Sequence, residues 1–241
     1  DHLQNGNFRY SVVDMCLDNG FGDVVAGEKN IMISSPCGEK VTAVPNSSGT
    51  GYWIITHVLG GDAFLAYSLT NAGLNSVPVT SSVGALQASI CQIGPLKASH
   101  DGTKLVCTNT LCNNAELIDF DATTGVVSNP VDLLDLYGIP NGCYGAEFSP
   151  NDEMLYISTT WAVNNLYQID LVNSIVSEIE EGPGGGYYFG ALQLGPDGRI
   201  YMARKDEAFL DVIEFPDDPG TACSYLPEGL PLAAGTTSDM G

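Results

Sequence analysis

The sequence predicts an all-β chain folded as a β-propeller of four-stranded antiparallel blades, about five of them within 241 residues. Three observations predict it. First, a turn recurs four times, at Ala43-Val44-Pro45-Asn46, Ala98-Ser99-His100-Asp101-Gly102, Phe148-Ser149-Pro150-Asn151-Asp152 and Leu194-Gly195-Pro196-Asp197-Gly198, with steps of 55, 50 and 46 residues between Pro45, His100, Pro150 and Pro196. Second, short apolar or alternating runs flank every copy, and units repeating every ~40–50 residues mark blades, because one blade cannot bury both of its faces alone. Third, Gly 28 and Pro 13 sit among Val, Ile, Thr and Tyr, the residues of tight turns and strands. No helical period runs beyond about ten residues. A β-sandwich, the alternative, spaces its strands by roughly 8–12 residues without so long a super-period.

In chain order, Tyr10-Ser11-Val12-Val13-Asp14 reads as a third strand whose blade lacks its front half, a part-blade over residues 1–35. Complete blades follow at about 38–88, 90–136, 142–182 and 188–230. The clearest is Tyr144 to Leu171. Its first run ends at Phe148, where Ser149-Pro150-Asn151-Asp152 forces reversal, because proline fixes φ and Asn and Asp tolerate tight-turn geometry. Met154 to Thr159 is the second strand, Leu166 to Asp170 the third and Ser174 to Ile179 the fourth. Matching second strands make Trp53, Val106, Tyr156 and Tyr201 equivalent. Third strands recur at Phe64 to Ser68, Glu116 to Phe120 and Leu210 to Glu214. Four blades and a part-blade close awkwardly. The chain therefore reads as one domain over 1–241, or as the C-terminal two-thirds of a seven-bladed ring with roughly two blades missing on the N-terminal side. A free-standing five-bladed ring is the alternative.

Eight Lys and Arg face 29 Asp and Glu, a net charge of −21. Nucleic acid is disfavoured, since phosphate needs a basic surface; solubility accounts for the charge, and a cation or basic partner would exploit it. No run of about 18 apolar residues predicts membrane insertion, and no signal peptide is visible at Asp1-His2-Leu3. Seven cysteines include no Cys-x-x-Cys pair, against zinc ribbons and thioredoxin-like sites. Cys107 and Cys112 flank a turn-rich segment and could close a local disulfide in an oxidising compartment; two unpaired thiols are the alternative.

Candidate functional residues follow from blade geometry. Three positions before each turn anchor stand Thr42, Lys97, Glu147 and Gln193, one ring around the channel. Lys97 and Glu147 belong to adjacent blades; they either pair to satisfy a partly buried channel or form a channel-end ligand site. The opposite rim gathers Thr56-His57, Asn109-Thr110, Thr159-Thr160-Trp161 and Arg204-Lys205, with Tyr144 and Tyr187-Tyr188 arriving from preceding loops. Aromatics with Arg, His and amides are a recognition mix, so His57, Tyr144, Trp161 and Arg204 are candidate ligand residues, although Trp161 would equally plug a gap between blades.

Catalytic constellations are sparse. His2, His57 and His100 fall too far apart to converge on a metal. Asp119-Phe120-Asp121 with Gly125 has the spacing calcium favours but lacks the following acidic ligand, and a strand-to-strand turn explains it. Calcium is the one cofactor left open. No Gly-x-Ser-x-Gly elbow appears, and Gly182-Pro-Gly-Gly-Gly186 lacks the Gly-Lys-Ser/Thr of a phosphate loop. Asn46-Ser47-Ser48 matches a glycosylation sequon of the kind common by chance.

The ordered series Tyr10-Ser-Val-Val-Asp-Met15, Gly22-Asp-Val-Val25, Glu39-Lys-Val-Thr-Ala43, Tyr52-Trp-Ile-Ile-Thr-His57, Lys97-Ala-Ser-His-Asp-Gly102, Asp119 to Gly125 with Val127 to Pro130, Tyr144-Gly-Ala-Glu-Phe-Ser-Pro150 and Leu192 to Tyr201 resembles the WD40-like propeller region of Bacteroidetes surface proteins that carry a gliding motility-associated, type IX secretion sorting domain. The resemblance implies an extracellular or outer cell-surface protein. With no convergent catalytic set, the expectation is a non-enzymatic binding, adhesion or assembly module for a protein or glycan, possessing no catalytic residues. Partners would include the missing blades or further copies. The alternatives are a metal-dependent lactonase- or lyase-like propeller enzyme and a structural subunit of an extracellular filament.

Overall fold

The computed structural model describes residues 6–88, 93–161, 163–182 and 188–241. Four antiparallel sheets form a four-bladed propeller. The first blade runs outward through Cys37–Pro45, Tyr52–Val58 and Ala63–Thr70, with Gly73–Leu74 and Val79–Ser82 both pairing the third strand. The second comprises Leu96–Ala98, Lys104–Asn109, Asn114–Asp121 and Val126–Asp132. The third comprises Cys143–Phe148, Met154–Thr159, Asn165–Asp170 and Ile175–Glu181. The fourth comprises Phe189–Leu194, Ile200–Arg204, Phe209–Ile213 and Tyr225–Pro231. The inner strands begin at Cys37, Leu96, Cys143 and Phe189, so the second starts six residues after the expected bound of 90.

The part-blade differs from expectation. Tyr10 to Asp14 is not one strand: Phe8–Tyr10 pairs with Ile31–Ser34, and Val13–Asp14 pairs with Asp23–Val24. Backbone bonds between Val12 and both Val25 and Glu28 join the two pairs into one two-stranded ribbon. The described residues therefore hold four full blades and a ribbon, not five blades.

Period-two alternation explains the packing. In Lys104–Asn109, Leu105 and Cys107 face the first blade and join Val44, Ile55, Phe64 and Ile118. Val106, between them, faces the third blade and joins Ala146, Leu155 and Ile157. Tyr156 then points on to the fourth blade, against Leu192, Met202 and Ile213. Both faces of each middle blade are thus core, and every residue of Met154–Thr159 is buried. Each such aliphatic or aromatic side chain contributes about 1.5–3 kcal/mol by leaving water, which is why a blade needs neighbours.

The predicted equivalences appear in the register. Trp53, Val106, Tyr156 and Tyr201 lie opposite Val44, Lys97, Glu147 and Gln193. The first blade is two residues out of step, since Thr42 faces Ile55; a two-residue shift keeps the side chain on the same face. Turns also stitch neighbours together. Trp53 Nε1 donates to Ala122 O at 2.9 Å, Asn151 N donates to Asp217 Oδ1 at 3.0 Å, and Asp152 accepts from His100 N and Asp101 N, each at 2.8 Å.

One element had no sequence expectation, the short helix Leu133–Tyr137. The Asp132 carboxylate caps Leu134 N at 2.8 Å, and Gly138 ends the helix at φ 68°.

Candidate functional site

The four expected channel residues meet. Thr42, Lys97, Glu147 and Gln193 line one cavity of about 390 Å³, together with Ser99, His100 and Pro196. The inner strands supply them, one from each blade. Lys97 Nζ reaches Glu147 Oε2 at 2.9 Å and Gln193 Oε1 at 2.8 Å, so it ties the second blade to the third and fourth. Glu147 is buried and further satisfied by backbone, Oε2 accepting from Leu194 N at 3.1 Å and Oε1 from Phe148 N at 3.2 Å. Every strong acceptor on this carboxylate is occupied, as a buried charge requires. At the mouth, His100 Nδ1 lies 2.8 Å from Asp152 Oδ1. A carboxylate oxygen accepts, so Nδ1 is the donor in this contact.

The opposite rim is less a surface than expected. His57 is buried, its ring edge-on to Phe64 with centroids 4.5 Å apart and Nδ1 2.8 Å from Val58 O. Burial, with Lys40 nearby, pushes its pKa down to about 4. Arg204 is buried too. Its Nε donates to Asp211 Oδ2 at 2.7 Å, Tyr225 OH donates to the same oxygen at 2.6 Å, and the guanidinium lies over the rings of Phe189 and Phe209. Neither residue can greet a ligand as expected; both satisfy the interior. Tyr144 is half-buried, and its backbone O accepts from Thr108 Oγ1 at 2.7 Å. Trp161 is 43% exposed, so it does not plug a gap between blades. Tyr187 lies outside the described residues, as does all of the glycine run after Gly182.

The expected Cys107–Cys112 disulfide is absent. Cys107 is a buried free thiol whose sulfur accepts from Gln87 Nε2 at 3.3 Å, whereas Cys112 is disulfide-bonded elsewhere. Strand alternation explains this: Cys107 points into the core between the first two blades. Cys16 is an exposed free thiol. The Asp119 carboxylate contacts Lys104 Nζ and accepts from Asn129 Nδ2 at 2.8 Å. Asp121 accepts from Thr123 N and Thr124 Oγ1 at 2.8 and 2.7 Å, an Asx turn. Among the described residues, no three His, Cys, Asp or Glu side chains gather as a metal-binding group.

Sequence reasoning missed Lys40, buried between the first two blades with Nζ donating to Gly94 O at 2.6 Å and Thr108 O at 2.7 Å. Desolvation lowers its pKa. It also missed Asp211, buried beneath Arg204. The available signal was a charged residue within an otherwise apolar strand, Asp211 inside Phe209–Ile213.

No protein-family model matches the chain, and no curated protein matches its sequence. Solved structures do resemble it. A protein from Lactobacillus plantarum is 14% identical with a TM-score of 0.56, over 95% of this chain and 67% of that one. A putative 6-phosphogluconolactonase from Bacteroides fragilis is 13% identical with a TM-score of 0.54, over 92% and 64%. Another from Bacteroides uniformis is 15% identical with a TM-score of 0.50, over 83% and 55%. The chain spans about half to two thirds of the length of these and the other solved structures it resembles. At such identity the likeness establishes a shared propeller fold, and fold alone does not carry function.

Proposed function

We propose that the chain is a non-enzymatic β-propeller module, secreted or held at the outer cell surface, that serves binding, adhesion or assembly. The Lys97–Glu147–Gln193 closure carries this reading. A catalyst at a propeller channel needs titratable groups left free for substrate, and here the cation and the carboxylate are spent on each other and on backbone. The surface supplies the binding chemistry. Of eight Lys and Arg, Lys40 and Arg204 are buried and Lys97, Lys104 and Arg199 stand in ion pairs. The outside is therefore left strongly acidic, suited to a basic protein partner that such a field steers. The disulfide at Cys112 fits an oxidising compartment, in keeping with the resemblance to type IX secretion surface proteins. Membership of a seven-bladed ring belongs to the same reading.

A second reading, a lactonase-like enzyme, draws on the fold shared with the two putative 6-phosphogluconolactonases and on Lys97, His100 and Glu147 lining one cavity. Binding of the purified protein to an immobilised basic protein such as lysozyme, measured across a salt series, tests the leading reading. Saturable binding that weakens as salt rises supports it. Binding no stronger than that of an equally acidic control protein contradicts it.

A further inference from the structure

Among the described residues, the loop between the second and third strands of each blade passes through one left-handed residue. These are Gly60 (φ 84°), Asn113 (φ 49°), Trp161 (φ 71°) and Asp206 (φ 64°). Glycine, asparagine and aspartate tolerate that conformation; a bulky side chain there is an outlier. Folding alone would therefore place Gly, Asn or Asp at position 161. The tryptophan found there keeps 43% of its surface exposed, in contrast to Trp53, whose indole N–H is bonded across a blade interface. Strain of this kind persists where the side chain is needed outward.

The surroundings say what it meets. Glu180 and Glu181 lie opposite Leu166 and Asn165, at the same end of the third blade, and Glu181 is exposed. The chain as a whole carries −21. An exposed indole on a strongly negative surface is a receptor for an organic cation, since tryptophan gives the strongest cation–π contact and the field concentrates cations around it. We propose that Trp161 is the anchor of a site for an arginine or lysine side chain on a basic segment of a partner protein. This inference rests on the reading of the chain as a module for a basic partner.

A hexa-arginine peptide titrated into the full chain, followed by calorimetry and by tryptophan emission, tests it against Trp161→Gly and Trp161→Phe. Saturable binding to the wild type is expected, weakened at least tenfold by Trp161→Gly and less by Trp161→Phe. The glycine variant should melt at the same temperature as the wild type or higher, because glycine relieves the left-handed backbone. Equal affinity in wild type and Trp161→Gly would overturn this site while leaving the binding module intact. A lower melting temperature in Trp161→Gly would assign the indole a packing role and overturn it as well. No binding of hexa-arginine by the wild type, with lysozyme still bound, would overturn the cation site; failure of both ligands would overturn the module reading too. Emission changes with maltohexaose in place of the peptide would likewise overturn it in favour of a glycan.

Discussion

Lys97 Nζ stands 2.9 Å from Glu147 Oε2, a contact between adjacent blades made at the mouth of the channel. The lysine is a quarter exposed and the glutamate almost wholly buried, with side-chain exposures of 24% and 4%. The asymmetry decides what removal of each partner does. Lys97→Met leaves a buried carboxylate without its cation and is expected to cost about 2–3 kcal/mol in urea unfolding. Lys97→Met combined with Glu147→Leu should recover much of that loss, because no charge is then left buried. A double variant as unstable as the sum of its parts would contradict the pairing.

Stability should depend on His57. Its pKa in the folded state is about 4 against an ordinary 6.5, so the unfolded chain takes up a proton first as pH falls. The contribution is fully present above pH 6.5 and is lost progressively between about 6.5 and 4, up to about 3 kcal/mol. Chemical denaturation at pH 7.5 and pH 4.5 measures it. His57→Leu should flatten this part of the profile, and an unchanged slope would place the titration elsewhere.

Gly125 is required by Trp53. A Cβ at Gly125 would stand 2.7 Å from the indole, and φ is 77°. Gly125→Ala should destabilise the first interface by about 2 kcal/mol or more. Gly138→Ala, also left-handed at 68° but with open space around it, should cost about 1 kcal/mol. Equal losses would show that the clash is relieved by local movement.

The thiols offer a direct check on the interior. Cys16 is exposed, while Cys37, Cys107, Cys143 and Cys223 are buried. Burial pushes the Cys143 thiol up to about 12 and raises that of Cys107, which removes the reactive thiolate at pH 8. Mass-resolved alkylation should label Cys16 within minutes and those four only on unfolding. Rapid native labelling of Cys107 would contradict its place in the core.

Blade positions were legible because turn and strand chemistry are local. Pro45, Pro150 and Pro196 mark reversals, and alternation in Lys104–Asn109 or Met154–Thr159 marks strands buried on both faces. The ring of Lys97, Glu147 and Gln193 was legible for the same reason, since equal offsets from equal turns land at equal heights, and Thr42 joins them from two residues away in register because such a shift keeps its face. Depth was not legible. His57 and Arg204 sit at strand ends, where sequence suggests solvent, but Phe64, Phe189 and Phe209 close over them. Cys107 lies five residues from Cys112, yet strand direction separates them. The first 35 residues misled because Tyr10 to Asp14 has the alternation of one blade strand, whereas it divides between two short pairs that Val12 links into a ribbon.

Lactone hydrolysis tests the central claim most directly. Purified protein and its Glu147→Gln variant, each incubated with 6-phosphogluconolactone under pH-stat control, should both match the uncatalysed rate. Saturable acid release by the wild type that Glu147→Gln abolishes would contradict a channel closed by pairing and establish Glu147 as a catalytic group.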